Sequence, residues 1–203
     1  SCLVGSEMCI RDSYKILFIS DVHLGTNNKN HLVKIIKKIN KLNFDFLVIG
    51  GDLIDSSSFN FKYLNVLKEI DKPIYFVSGN HEYYLKDYRN KINQLASFNI
   101  KHLKNTKIQI EDINLIGIDD NQTEKSKIDF ANKLCDDNLF NLVVCHKPDI
   151  WQKLNCKNHL MLSGHTHNGQ IFPFNFIVKL KFKFIYGLYL SLIHISEPTR
   201  QDR

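Results

Sequence analysis

Carboxylates, amides and imidazoles recur in five short blocks along this chain of 203 residues. They are Asp21-Val22-His23, Gly51-Asp52-Leu53-Ile54-Asp55, Gly79-Asn80-His81-Glu82, the lone His146, and Gly164-His165-Thr166-His167. Of the nine histidines, His23, His81, His146, His165 and His167 fall in these blocks, whereas His31, His102, His159 and His194 do not. A single such histidine is ordinarily a hydrogen-bonded loop residue. Five of them grouped with carboxylate and amide oxygens form a donor set for divalent cations of intermediate hardness. Imidazole suits zinc, iron and manganese, and the oxygen donors favour the harder ions, so manganese is expected first, with iron or zinc as alternatives. The i, i+2 spacing of Asp21 with His23, and of His165 with His167, would in extended backbone turn both members of each pair to one side. Gly51, Gly79 and Gly164 leave the backbone free for the tight turns that a close approach to an ion requires.

Each block needs an element to deliver it. Lys15-Ile16-Leu17-Phe18-Ile19 ends at Ser20-Asp21, and Phe46-Leu47-Val48-Ile49 is stopped by Gly50-Gly51-Asp52; both read as buried strands. Ile74 to Val77, Leu142 to Cys145 and His159 to Leu162 read the same way. Leu32, Ile35, Ile36 and Ile39 recur at helical spacing among lysines, predicting an amphipathic helix over Lys29–Leu42. Further helices are predicted over Phe59–Ile70, Asp87–Ser97 and 125–135, and Lys107–Ile110 with Ile113–Ile118 across Glu111-Asp112 predicts a hairpin. Alternating strands and helices imply a mainly parallel α/β sheet. In such a sheet the ligand crevice lies beyond the carboxyl ends of the strands, so five separate segments deliver their polar groups to one edge.

Composition is that of an ordinary globular domain: 43% hydrophobic, 24% charged, net charge +6 with no basic block. No apolar run approaches the ~18 residues of a membrane-spanning helix. The cysteines are odd in number, five, and lack a C-x-x-C pair, which argues against a disulfide framework and a structural zinc site. Cys135, Cys145 and Cys156 are thus expected as reduced thiols, pointing to a cytoplasmic setting. The two ends stand apart. The codons ATG TGT ATA AGA GAC AG plus one base can encode Met8 to Ser13, and their reverse complement with flanking bases encodes Leu190 to Ile195. Such a string resembles a transposon end with the adapter used in sequencing libraries. Residues 1–13 and 190–203 are therefore expected to be non-native and irregular, leaving one domain at 14–189 that is incomplete at its C-terminus.

The ordered series D-x-H, G-D-x-x-D, G-N-H-E, a strand-terminal H and G-H-T-H, covering positions 21 to 167, resembles the calcineurin-like metallophosphoesterase superfamily. The resemblance implies an α/β, four-layered α-β-β-α sandwich carrying two divalent metal ions, here truncated at the C-terminus. It further implies that Asp21, His23, Asp52 and His167 hold one ion and Asp52, Asn80, His146 and His165 the other, with Asp52 bridging. Two cations about 3.5–4 Å apart can hold a bridging water, generate hydroxide near neutral pH and neutralise phosphoryl oxygens during in-line attack. His81, after the ligand Asn80, corresponds to a residue near the leaving-group oxygen that donates a proton or stabilises charge. Asp55 either orients a ligand or simply starts a helix. Gly79 to Tyr84 and Leu162 to Ile171 resemble a bacterial branch of membrane-associated phosphohydrolases and UDP-diacylglucosamine hydrolases, although Asn168 stands where that branch commonly has glycine.

The expected function is hydrolysis of a phosphomonoester, phosphodiester or pyrophosphate bond. A noncatalytic metal-stabilised binding module and a soluble nucleotide phosphodiesterase or nuclease are the alternatives. Nucleic acid ranks low as a partner, because the lysines form no continuous basic stripe interleaved with aromatics. Ile171 to Tyr189 is apolar and aromatic, with Lys179, Lys181 and Lys183 alternating with Leu180, Phe182 and Phe184. Its simplest reading is an amphipathic strand with a solvated lysine face. Its sharper one is peripheral contact with an anionic membrane, at its inner face, by an enzyme of lipid-linked phosphate esters. No feature of the sequence specifies an oligomeric state.

Overall fold

The computed structural model describes residues 3–4, 8–10 and 14–165. In chain order the strands are β1 (Leu3–Val4), β2 (Met8–Ile10), β3 (Tyr14–Ser20), β4 (Phe46–Ile49), β5 (Ile74–Phe76), β6 (Ile100–His102), β7 (Thr106–Ile110), β8 (Ile113–Ile118), β9 (Phe140–Cys145) and β10 (His159–Leu162). The α-helices are α1 (Lys29–Ile39), α2 (Tyr88–Gln94) and α3 (Glu124–Leu134). One sheet runs β3-β4-β5-β6, all parallel, with β1 and β2 antiparallel along the outer side of β3. The other runs β10-β9-β8-β7, parallel except for the β7–β8 hairpin, in which Ile110 faces Ile113 as its spacing predicts.

Alternation along the strands sorts their side chains into layers. Ile16 of β3, Phe46 and Val48 of β4, Ile113 and Leu115 of β8, and Leu142 and Val144 of β9 fill one core between the two sheets. The intervening Leu17, Ile19, Leu47 and Ile49 point the other way, to Leu32, Ile35, Ile36 and Ile39 of α1. On the far side of the second sheet, Ile116, Ile118, Val143 and Cys145 meet Ala131 of α3. The result is the expected four-layered α-β-β-α sandwich. α1 begins where the Asn28 side chain accepts the N–H groups of Asn30 and His31, and α3 where Thr123 accepts that of Ser126.

Four local expectations are corrected. The segment after β4 is a 3-10 helix at Phe61–Glu69. Its buried Leu64 and Leu67, continued by Ile70, recur every three residues, the 3-10 period, so three per turn keeps them on one face. The helix expected over Asp87–Ser97 is α2 followed by a 3-10 turn at Leu95–Phe98, ended by the left-handed Asn99. Residues 1–13 were expected to be irregular, yet Leu3–Val4 and Met8–Ile10 pair with β3, supplying partners to backbone groups that an edge strand would leave open. Finally, Cys135 and Cys156 are joined in a disulfide with Cα atoms 5.8 Å apart, while Cys145 is free and buried. Two cysteines 21 residues apart meet because Cys135 ends α3 and Cys156 lies in the loop before β10. The argument from reduced thiols to the cytoplasm loses its basis for this pair. The expectations for residues 171–189 and 190–203 lie outside the described residues, within which no helix is long and apolar enough to cross a membrane.

Candidate metal centre

The polar blocks follow the ends of β3, β4, β5, β9 and β10, as the sheet rule anticipates. The loops are tied to one another by main-chain bonds. Asp21 N–H donates to Gly51 C=O (3.1 Å), His23 N–H to Asp52 C=O (2.9 Å) and Leu24 N–H to Leu53 C=O (2.8 Å). Gly164 N–H donates to His146 C=O (3.0 Å), and His146 Nδ1 bonds Gly50 C=O (2.8 Å), joining the second sheet to the first.

Asp21 and His23 do not gather by extended backbone. Asp21, His23, Asp52 and His165 all have positive φ, at 58°, 52°, 52° and 70°. Left-handed backbone at non-glycine residues costs of order 1–3 kcal/mol each and persists where surrounding contacts over-determine it, as the cross-loop bonds do here. The expectation that Asp21 and His23 share a side through a two-residue extended period is therefore corrected: a left-handed turn at each aims them. Gly51 has φ 94° and a Cβ there would stand 2.5 Å from His146 Nδ1. Gly79 is needed for space, since its Cβ would collide with the Asp52 carboxylate.

Asp52 is the hub. Its Oδ2 lies 3.1 Å from His146 Nε2, 3.9 Å from His23 Nε2 and 3.9 Å from His81 Nε2, and its Oδ1 accepts the His81 N–H at 2.9 Å. Two groups of donor atoms able to hold an ion therefore share it: His23, Asp52 and His81, and Asp52, His146 and His165. His165 Nδ1 faces His146 Nε2 at 3.2 Å, and its N–H reaches both Asp21 carboxylate oxygens at 3.2 Å. Because the Gly50 carbonyl only accepts, His146 Nδ1 carries a proton, which directs Nε2 to the centre. Asp55 stands 3.3 Å from His23 Nδ1 and accepts Thr26 N–H, an orienting contact rather than a helix start.

Without a metal, charge at this cluster is held by mutual compensation. Burial would raise the Asp52 carboxyl, but the hydrogen bond and charge of His146, with those of His81, bring it down to about 2. Burial would lower His146, and Asp52 instead lifts it to about 9. His165, desolvated and facing a cationic His146, falls to about 4.

An observation independent of those distances tests the fit of a cation. Asn80 Oδ1 is buried with no hydrogen-bond partner. An amide oxygen so placed needs a donor or a cation, and it belongs to the residue between Gly79 and His81, both of which adjoin the Asp52 carboxylate, so with the imidazole nitrogens and carboxylates of the cluster the residue types fit divalent metal. The structure thus brings together Asp21, His23, Asp52, His81, His146 and His165, and places Asn80 directly after Gly79, which packs on Asp52. His167 lies outside the described residues.

Glu82 has a part that the sequence reading left unassigned. Its side chain is fully buried and accepts the N–H groups of Asp52 (3.0 Å), Ile54 (2.9 Å) and Gly79 (2.8 Å). Burial and the nearby Asp52 charge raise its carboxyl to about 7 against the pull of those amides. The available signal was a carboxylate immediately after Asn80-His81 and before an aromatic pair, where a solvated loop acid would be the default.

The calcineurin-like phosphoesterase family matches residues 14–169. An uncharacterized metallophosphoesterase of Helicobacter pylori is 35% identical over 86% of this chain and 50% of its own length. A bovine transmembrane protein with a metallophosphoesterase domain is 33% identical over 93% of this chain and 49% of its own. The chain spans about half the length of these curated relatives. Among solved structures, the Pseudomonas putida nuclease MPE aligns over 75% of this chain and 61% of its own, with TM-score 0.42 and 16% identity. On its match across most of the sandwich and both donor groups, the chain belongs to the calcineurin-like phosphoesterase family.

Proposed function

We propose that this chain is a dinuclear metal-dependent phosphoesterase, and the observation that carries the reading is that Asp52 belongs to both donor groups. Asp21, His23 and Asp52, with His167, would hold one ion; Asp52, Asn80, His146 and His165 would hold the other. Manganese is favoured by the mixture of oxygen and imidazole donors, with iron or zinc as alternatives. When bound, such a pair of ions activates water and offsets phosphoryl charge.

The chain's own residues supply the rest. Asp52 spreads one negative charge between the two groups, which limits the repulsion of two cations held close together. His146 is aligned by Gly50 and His23 by Asp55, so their ring orientations are set before any ligand arrives. The His81 side chain is 39% exposed and is the accessible proton donor toward a departing oxygen.

A phosphate ester is the substrate class. A lipid-linked ester and peripheral membrane contact are supported by the Ile171–Tyr189 pattern and by the bovine relative's description as a transmembrane protein. The narrower bacterial branch is supported by the Gly79–Tyr84 and Leu162–Ile171 blocks.

Elemental analysis together with a chromogenic phosphodiester assay tests the reading. Wild type should bind manganese and turn over, and Asp52→Ala should lose both metal and nearly all activity. Metal retained by wild type without turnover on phosphomonoesters or diesters would favour a binding module instead.

A further inference from the structure

The three Glu82 hydrogen bonds do not go to one loop. Two go to the loop after β4, at Asp52 and Ile54, and one to the loop after β5, at Gly79, the residue before Asn80. Oε2 is shared by Asp52 N–H and Gly79 N–H, so one atom spans the two loops, while Oε1 takes Ile54 N–H. The loop so held also bonds the segment bearing Asp21 and His23, through Gly51, Asp52 and Leu53 carbonyls. One buried carboxylate thus clasps two donor-bearing loops directly, and a third donor-bearing segment is bonded to the first of them.

We infer that Glu82 is a positioning residue that fixes the Asp52 and Asn80 loops at the separation a shared pair of cations needs. It touches none of the reacting groups through its own carboxylate and acts through the backbone of residues that do. The inference rests on the phosphoesterase reading for its purpose, but its physical content is metal affinity. An aspartate is one methylene too short to reach both loops. A glutamine keeps an oxygen for the Asp52 and Gly79 amides but turns an NH2 group toward the Ile54 N–H, which places two donors face to face.

The test compares wild type, Glu82→Ala and Glu82→Gln by calorimetric titration of the metal-free proteins with Mn2+, at a temperature where circular dichroism shows each fully folded. Removing a group that holds ligands in place typically costs 10–100-fold in metal affinity. Glu82→Ala should show a loss in that range, with Glu82→Gln between it and wild type. Hydrogen exchange in the metal-free state should quicken at the Asp52, Ile54 and Gly79 amides ahead of the core strands. Excess Mn2+ should then recover turnover in part, as restored occupancy requires. If Glu82→Ala fails to fold, Glu82→Gln carries the same comparison. Unchanged Mn2+ affinity in folded variants, with only the melting temperature reduced, overturns the inference even where wild type is an active phosphoesterase. A wild type that binds Mn2+ yet hydrolyses no phosphate ester overturns the functional reading while the affinity difference still decides Glu82.

Discussion

His81 is joined to Asp52 through its backbone: the His81 N–H donates to Asp52 Oδ1 at 2.9 Å, whereas its imidazole Nε2 stands 3.9 Å from Oδ2. The ring lies edge-on between His23, with centroids 4.7 Å apart, and the exposed Tyr84, at 5.8 Å. The support of the hub and the accessible imidazole are therefore separable by substitution.

Alanine at position 81 keeps the N–H that holds Asp52 and removes only the ring. His81→Ala should retain both ions by elemental analysis and lose turnover by about 10²–10⁴-fold, the range for a positioned acid. Because His81 also completes a donor group with His23 and Asp52, the metal content decides its role. Loss of an ion equal to that in Asp52→Ala would make His81 a ligand.

Much of this centre was legible in the order of residues because a strand end is marked twice, by the stop of an apolar run and by the polar group that follows. Ile49 to Asp52 and Cys145 to His146 show both marks, and both deliver their residues to the cluster. The layers were legible for the same reason, since Leu47 and Val48 must face opposite ways in a strand. What could not be read was anything fixed by a distant partner. The left-handed backbone of Asp21 and His23 follows from bonds to Gly51 and Asp52, about thirty residues away. The clasp by Glu82 and the pairing of Cys135 with Cys156 depend on loops that meet only after the sheets form. The 3-10 helix at Phe61–Glu69 was legible in principle, in its three-residue apolar repeat.

The disulfide closes a loop containing the two 3-10 and strand elements that follow α3, Pro148–Lys153 and β9. For a loop of this length the entropic contribution is about 3 kcal/mol, which in a domain of this size corresponds to roughly 6–12 °C in melting temperature. Cys135→Ser should lower the melting temperature by that order, and reductant should do the same to wild type while leaving the mutant unchanged. Peptide mapping by mass spectrometry without reduction should recover the 135–156 linkage. Its absence, with no effect of reductant, would return both residues to the thiol state that the cysteine count suggested.

A second buried charge system lies behind the centre. Lys127, on α3, is 2% exposed, and its Nζ bonds Asp120 Oδ1 at 2.7 Å, while Lys147, the neighbour of His146, bonds Asp120 Oδ2 at 2.7 Å. Burial would raise the Asp120 carboxyl, but the Lys127 charge and the hydrogen bonds of both lysines hold it below the usual carboxylate value. Burial would lower the Lys127 ammonium, but Cys145, then Asp120 and Asp149, keep it above its usual value. For the depressed carboxyl, stability is fully present above the unfolded value near 4 and falls away as pH drops through the folded value. For the raised ammonium, stability is present below about 10.5 and is lost as pH climbs through the folded value. The melting temperature should thus carry an acid limb and an alkaline limb from this pair. Lys127→Met leaves Asp120 buried with one cation in place of two; it should cost about 3 kcal/mol near neutral pH and make the acid limb shallower, because the folded carboxyl rises toward its unfolded value. Asp120→Asn should cost less in the Lys127→Met background than in wild type, where it would leave the buried Lys127 ammonium without that carboxylate. Melting curves of the single and double variants from pH 3 to 11 make the comparison, and a Lys127→Met variant as stable as wild type, with its acid limb as steep, would show that the pair contributes nothing to the fold.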